Sequence, residues 1–170
     1  MKKIAMMIVA LAMTVAAQAQ YTYQYKTTPY HSDKYFIGAS LTGLDLSYSG
    51  SEKFKAGVAA QVGYMVFDNV LVMAEAGMNY SDEKLNSFNL AAGGRYYIEQ
   101  NGIFLGAKLN YVHGYKSYND ILPGVEVGYS FFLSRTVTIE PSIYYNQSFK
   151  KHSDFSNVGF KIGFGIYLND

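Results

Sequence analysis

The sequence contains no cysteine and no tryptophan, and only three of its 170 residues are proline. Without cysteine the chain has no disulfide, no thiol nucleophile and no cysteine-based metal site. Charged residues are also scarce, at 16%, whereas roughly a quarter of the residues in a typical soluble domain are charged. With a formal net charge of +1, the chain lacks the excess of basic residues that is typical of nucleic-acid-binding proteins, so we expect no nucleic-acid partner.

The chain is rich instead in 17 tyrosines, 11 phenylalanines and 16 glycines. Aromatic side chains favour strands, and so many glycines would weaken the interior of helices. This composition predicts an all-β protein.

The first twenty residues differ from the rest of the chain. Lys2 and Lys3 precede an apolar stretch over Ile4–Val15, and Ala17-Gln18-Ala19 has the small-x-small pattern of a signal-peptidase site. The apolar stretch is shorter than the roughly 20 residues that a membrane-spanning helix needs. We therefore predict a signal peptide over residues 1–19 and export of the mature chain. A lipoprotein is excluded because no cysteine follows the cleavage site.

From Tyr35 onward, apolar residues occupy every second position in eight successive segments. The last segment, Ser156–Leu168, shows the pattern most clearly, with an apolar row on one face and mainly glycine on the other. In the first segment the parity changes at Thr42-Gly43, which predicts a β-bulge. Short turns are expected at Asp68-Asn69, Glu99–Gly102 and Ser134-Arg135. They alternate with longer polar loops over residues 49–53, 81–86, 113–120 and 147–155.

The composition of the polar face indicates which face lies inside. It consists mostly of Gly, Ala, Ser, Thr and Asn, with about one charge per strand, and so makes a poor solvent-exposed surface but suits a narrow barrel interior. We predict an all-β fold: an eight-stranded antiparallel up-and-down transmembrane β-barrel over residues 35–170, with short periplasmic turns and longer extracellular loops. Residues 20–34 form a periplasmic N-terminal arm. A soluble periplasmic barrel is the alternative fold.

Two hairpins, VGYMVFDNVLVMAEAGMNYS and VGYSFFLSRTVTIEPSIYY, together with the signal peptide ending in AQA and the glycine-alternating last strand, resemble the small outer-membrane β-barrel family of Gram-negative bacteria, the eight-stranded OmpA/OmpX type. The resemblance implies location in the cell outer membrane, contact with its lipid bilayer and with lipopolysaccharide, and insertion by the barrel-assembly machinery. The last strand of this family commonly ends on an outward aromatic residue. This chain departs from that pattern, since Leu168 faces outward and Tyr167 inward.

Six charged residues are predicted to face the lumen: Glu75, Arg95, Lys108, Glu126, Glu140 and Lys161. Asp45 is a further candidate. Buried charges must be paired, so three acids and three bases predict a salt-bridge network that fills the barrel. A narrow ion path or a proton-sensitive gate is the alternative interpretation of the same residues.

The candidates for chemistry or contact lie in the loops, apart from His31-Ser32-Asp33 in the N-terminal arm. His113 near Ser117, and His152 beside Ser153 and Asp154, could serve an enzyme, but neighbours in sequence do not make a spatial triad, so we expect no catalytic residues. No metal-ligand spacing or nucleotide motif occurs, so no cofactor is expected. Possible surface-contact residues form a basic and aromatic rim: Tyr115, Lys116, Tyr118, Phe149, Lys150 and Lys151.

These observations predict a non-enzymatic outer-membrane barrel that contributes to envelope integrity or surface interaction. A small pore or passive transporter is the alternative, and a lipid-modifying enzyme is a weaker one. The sequence names no specific partner; its oligomeric state is open, with a monomer favoured.

Overall fold

The computed structural model describes residues 30–47, 55–81, 84–99, 101–114, 118–150 and 156–168. These ranges contain nine strand segments: β1 (Tyr35–Ser47), β2 (Lys55–Phe67), β3 (Val70–Ser81), β4 (Lys84–Ile98), β5 (Ile103–Gly114), β6 (Tyr118–Tyr129), β7 (Phe131–Phe132), β8 (Val137–Asn146) and β9 (Asn157–Leu168). Among the described residues, no helix is long and apolar enough to cross a membrane.

The segments form one closed antiparallel ring. β1 to β6 pair in sequence order, β8 pairs with β9, and β9 returns to pair with β1. β6 and the two-residue β7 are parts of one barrel strand that is interrupted at Ser130, since both pair with β8. The predicted fold, an eight-stranded antiparallel transmembrane barrel, is confirmed.

The apolar face of the strands points outward, as predicted. Leu109 and Val62 are 59% and 57% exposed on the outside, whereas Gln61 and Arg95 are buried inside. A water-soluble barrel would have the reverse arrangement, so the soluble alternative does not fit this structure. Ring closure also pairs the backbone groups of the strands with one another, which a bilayer requires.

Local signals in the sequence fix several details of the ring. The pairing of β1 with β9 shifts between Thr42 and Leu44, where the change of parity predicted a bulge. Asn69 and Gly102 have positive φ angles, of 66° and 72°, in the predicted turns after β2 and β4. Asparagine and glycine tolerate this backbone conformation better than other residues.

At the end of the barrel away from the turns after β2 and β4, the strands are longer than predicted. β3 ends at Ser81 and β4 begins at Lys84, while β5 ends at Gly114 and β6 begins at Tyr118. The connections at residues 82–83 and 115–117 are therefore shorter than the loops predicted over 81–86 and 113–120. Strand pairing continues here without apolar alternation because polar side chains bond across it, as the Tyr111 hydroxyl does to Asn119 Oδ1 (2.9 Å).

Candidate functional site

The described part of the lumen contains three layers of side chains. We call the end of the barrel with the connections at 68–69, 99–102 and 133–136 the turn end, and the opposite end the loop end. On β4, for example, Tyr97, Arg95 and Asn89 follow one another from the turn end to the loop end. They belong to an apolar layer, an ionic layer and an asparagine layer.

The ionic layer is a chain of charges of alternating sign. Arg95 lies between two acids, with its Nε 2.5 Å from Glu126 Oε1 and its Nη1 2.7 Å from Glu140 Oε2. All six predicted lumen charges are linked in the order Glu140, Arg95, Glu126, Lys161, Glu75 and Lys108. The six formal charges cancel.

Lysines complete the other half of this chain. Lys161 Nζ lies 2.5 Å from Glu126 Oε2 and 3.7 Å from Glu75 Oε2. Lys108 Nζ lies 3.2 Å from the second carboxylate oxygen of Glu75. No side chain in these ion pairs is more than 14% exposed, so the pairs are shielded from water. Losing one member would leave a buried charge without compensation.

Neutral groups complete the coordination of the carboxylates. Gln61 Nε2 donates to Glu75 Oε2 (2.7 Å). Oε1 of Glu140 accepts hydrogen bonds from three hydroxyls, those of Thr138 (3.0 Å), Tyr167 (3.3 Å) and Ser130 (3.4 Å). These bonds hold the acid in place, and so restrict the movement of Arg95.

Glycines on the polar face make room for these charged side chains. Gly106 of β5 lies opposite Glu126 of β6. A Cβ atom placed on Gly106 would lie 2.6 Å from Cγ of Glu126, well inside van der Waals contact. The glycine-rich face thus reflects the close packing of the lumen.

The apolar layer closes the turn end. It consists of seven buried side chains: Tyr30, Phe36, Met65, Leu71, Tyr97, Phe104 and Tyr167. It is joined to the ionic layer by Arg95, whose guanidinium carbon lies 4.6 Å from the centre of the Phe104 ring. A cavity of about 10 Å³ lies beside Glu75 and Lys108, which is room for about one water molecule.

The asparagine layer lies towards the loop end. Asn110 Nδ2 donates to Asn146 Oδ1 (3.0 Å), and Asn146 Nδ2 donates to Asn157 Oδ1 (3.1 Å). Asn79 Nδ2 reaches Asn89 Oδ1 at 3.4 Å. This layer carries no charge and is partly open to solvent.

The predicted rim residues are only partly within the described structure. Phe149 and Lys150 follow β8 at the loop end and are exposed, and Lys150 Nζ donates to the carbonyl of Asn119 (2.7 Å). Tyr118 begins β6, but its side chain lies outside the described residues. Tyr115, Lys116 and Lys151 also lie outside them, as does the side chain of Asp45.

The structure places His113 on the outer face of the β5–β6 hairpin, with Nδ1 2.6 Å from Asn119 Oδ1. Ser117 and the group His152, Ser153 and Asp154 lie outside the described residues. Within the described ranges, no three His, Cys, Asp or Glu side chains come together as a possible metal site.

Several residues of the site were not singled out from the sequence. Tyr30 belongs to the predicted periplasmic arm, where the polar sequence shows no periodic pattern, yet the structure buries it in the apolar layer. Gln61 and Thr138 had a usable signal, since both stand at inward positions of their strands. Their role depends on the positions of Glu75 and Glu140, which the pattern of one strand does not give.

No family model and no curated protein sequence matches the chain. Among solved structures, the N-terminal β-barrel domain of Pseudomonas aeruginosa OprF is similar, with a TM-score of 0.60 and 11% identity over 81% of this chain and 98% of that one. Neisserial surface protein A has a TM-score of 0.56 and 16% identity, over 81% and 98%. The Yersinia pestis outer membrane protein Ail has a TM-score of 0.54 and 14% identity, over 80% and 99%.

These identities are low, so the likeness concerns the fold. The shared fold is that of eight-stranded outer-membrane barrels, and it agrees with the outer-membrane location predicted for this chain. Because one fold supports many functions, the function must be argued from the lumen and the rim.

Proposed function

We propose that this chain is a non-enzymatic integral protein of the outer membrane that acts in envelope integrity or surface contact, with a lumen closed to ions. The proposal rests on two layers of side chains that lie one behind the other and fill the lumen. The ionic layer satisfies its own charges, and the apolar layer lies between it and the turn end.

The filled lumen argues against the alternative of a small pore or passive transporter. A passing ion would have to break buried contacts such as that between Arg95 and Glu140, and then cross seven packed apolar side chains. The cavity beside Glu75 has room for about one water molecule, too little for a hydrated ion. An unfilled path through the described lumen would have favoured the pore.

Planar-bilayer recording tests the closed lumen. The refolded mature chain should show no steady conductance. The double variant Arg95→Ala/Tyr97→Ala, which removes one large side chain from each filled layer, is the positive control and should conduct. Steady ion currents through the unaltered chain would overturn the proposal in favour of the pore.

The proposed surface contact involves the rim at the loop end. Phe149 is 77% exposed, and Lys150 beside it is also exposed while its Nζ donates to the Asn119 carbonyl, so an apolar ring and an ammonium group are both accessible at the loop end. This pairing suits the acyl and phosphate parts of lipopolysaccharide. Insertion by the barrel-assembly machinery and a monomeric state are parts of the same proposal.

A deletion strain separates surface contact from lipid-modifying activity. We expect loss of the protein to change envelope permeability or adhesion while lipid A composition stays unchanged. Complementation with Phe149→Ser/Lys150→Ser should restore less of the phenotype than the unaltered gene. A change in lipid A composition that His113→Ala reproduces would overturn the non-enzymatic proposal.

A further inference from the structure

Residues 30–34, which precede β1, lie across the turn end and are bonded into it. The backbone N–H of Met65 donates to the Lys34 carbonyl (2.9 Å), and the Asp33 N–H donates to the Met65 carbonyl (3.0 Å). The N–H of Asn69, in the turn between β2 and β3, donates to the Tyr30 carbonyl (2.7 Å). These bonds continue the pairing of β1 with β2 and lead the chain over the mouth of the barrel.

Tyr30 enters the lumen and fills a socket made by three aromatic side chains. Its ring stacks on Tyr97 at 4.3 Å between centroids and 16° between planes. It meets Phe132 at 5.5 Å and the edge of Tyr167 at 5.8 Å. The side chain is 1% exposed, and burial raises the pKa of its hydroxyl, so the ring occupies the socket as a neutral group.

The walls of this socket come from distant parts of the chain. Tyr97 belongs to β4, Phe132 to β7 and Tyr167 to β9. Tyr167 is the register partner of Phe36 in the pairing of β1 with β9, and the two rings are 5.2 Å apart. The socket is therefore complete only when the last strand has joined the first.

We infer that Tyr30 is a lock on the seam between β1 and β9. β1 begins at Tyr35, so the bound segment ties the start of β1 to a socket whose wall includes the end of β9. Separating the two strands requires the Tyr30 ring to leave Tyr167, which belongs to β9. The socket forms upon ring closure, so Tyr30 docks late and slows opening more than it speeds closure.

The test compares Tyr30→Ala with the unaltered mature chain, refolded into phosphatidylcholine vesicles, by the rate of urea unfolding read as a gel mobility shift. We expect unfolding to accelerate roughly 100-fold and folding to change less than about twofold. Tyr30→Phe keeps the ring and should unfold at close to the normal rate. Tyr96→Ala is the matched control, because Tyr96 adjoins Tyr97 but faces outward and is 52% exposed.

A disulfide across the seam tests whether Tyr30 acts as a lock on the seam or only as an ordinary core residue. Ile37 and Ile166 are register partners in β1 and β9, and Ala74 and Ala92 are partners in β3 and β4; all four are exposed on the outside. With the pair Ile37→Cys/Ile166→Cys oxidised, Tyr30→Ala should accelerate unfolding less than about twofold. With the pair Ala74→Cys/Ala92→Cys oxidised, the full effect should remain.

An unchanged unfolding rate in Tyr30→Ala would overturn the inference, as would an equal acceleration in both cross-linked backgrounds. If Tyr30→Ala does not fold, Tyr30→Leu is measured in its place against the same criteria. Phe132→Ala removes a wall of the socket and should accelerate unfolding by a similar factor, without adding to the effect of Tyr30→Ala. If the double variant unfolds faster by the product of the two single-variant factors, the two side chains act independently, and this would also count against the socket.

Discussion

At the scale of single residues, the lumen is built by setting large side chains against glycine. The Phe36 ring lies so close to Gly165 that a Cβ atom placed there would be 2.5 Å from it. Gly106 stands in the same relation to Glu126. Eight strands enclose little space, so each buried ring or charged side chain needs a neighbour without a side chain.

Gly106→Ala is expected to destabilise the barrel by about 1–3 kcal/mol, because the new methyl group must displace Glu126 from its two cationic partners. Urea unfolding in lipid vesicles measures the loss. Gly163→Ala is the matched control, since a Cβ atom there would come no closer than 3.4 Å to Glu140. It should change stability by less than about 0.5 kcal/mol. Equal losses in the two variants would contradict this account of the lumen.

At the scale of elements, β6 is a strand whose pairing with its two neighbours differs in length. It pairs with β5 over its whole length but with β8 only from Gly124 to Gly128. Its first half therefore has an edge that pairs with no other described strand. Unpaired edges invite pairing with another chain. Here two backbone groups of the edge are engaged: the Ile121 N–H donates to Asp120 Oδ1 (2.9 Å), and the Asn119 carbonyl accepts from Lys150 (2.7 Å).

The double variant Asp120→Ala/Lys150→Ala is expected to self-associate, because it releases backbone groups of this edge for pairing with a second copy. Chemical cross-linking at a fixed protein-to-lipid ratio should give at least about twice the dimer of the unaltered chain. The control is Glu99→Ala/Arg135→Ala, which also removes one acidic and one basic side chain. Both are exposed and lie at the turn end, away from this edge. A dimer fraction equal to that of the control would show that the edge needs no protection.

At the scale of the whole molecule, the barrel reverses the arrangement of a soluble protein. Its outer wall is a belt of exposed apolar side chains, and its described charged groups lie in the lumen or near the ends. Such a belt is stable against hydrocarbon and unfavourable against water. The bilayer is thus part of the folded state.

Leu109→Arg tests this arrangement. Leu109 lies in the middle of the outer face of β5, between Ala92 and Pro123 of the neighbouring strands. We expect a loss of about 2–4 kcal/mol on urea unfolding in vesicles, because a charge placed near the bilayer midplane is costly. Phe149→Arg, outside the strands, should be nearly neutral. A neutral Leu109→Arg would indicate that this face does not contact lipid.

Much of this structure follows from local chemistry in the sequence. Side chains of a strand alternate between two faces, so the apolar row from Val158 to Leu168 and its glycine-rich opposite face could be recognised without coordinates. The same periodicity placed the six charges of the ionic layer on the inward face, and the change of parity at Thr42-Gly43 located the bulge. Asn69 and Gly102 marked turns because their backbones accept positive φ.

Tertiary structure alone decided which of these groups meet. The order of the six charges depends on how eight strands are staggered around the ring, and the pattern within one strand carries no information about that stagger. Tyr30 has no periodic signal, and its socket combines side chains of β4, β7 and β9, which only the closed ring brings together. Periodicity is a property of one strand, whereas a lumen is a property of the closed ring, and that is the physical reason for the division.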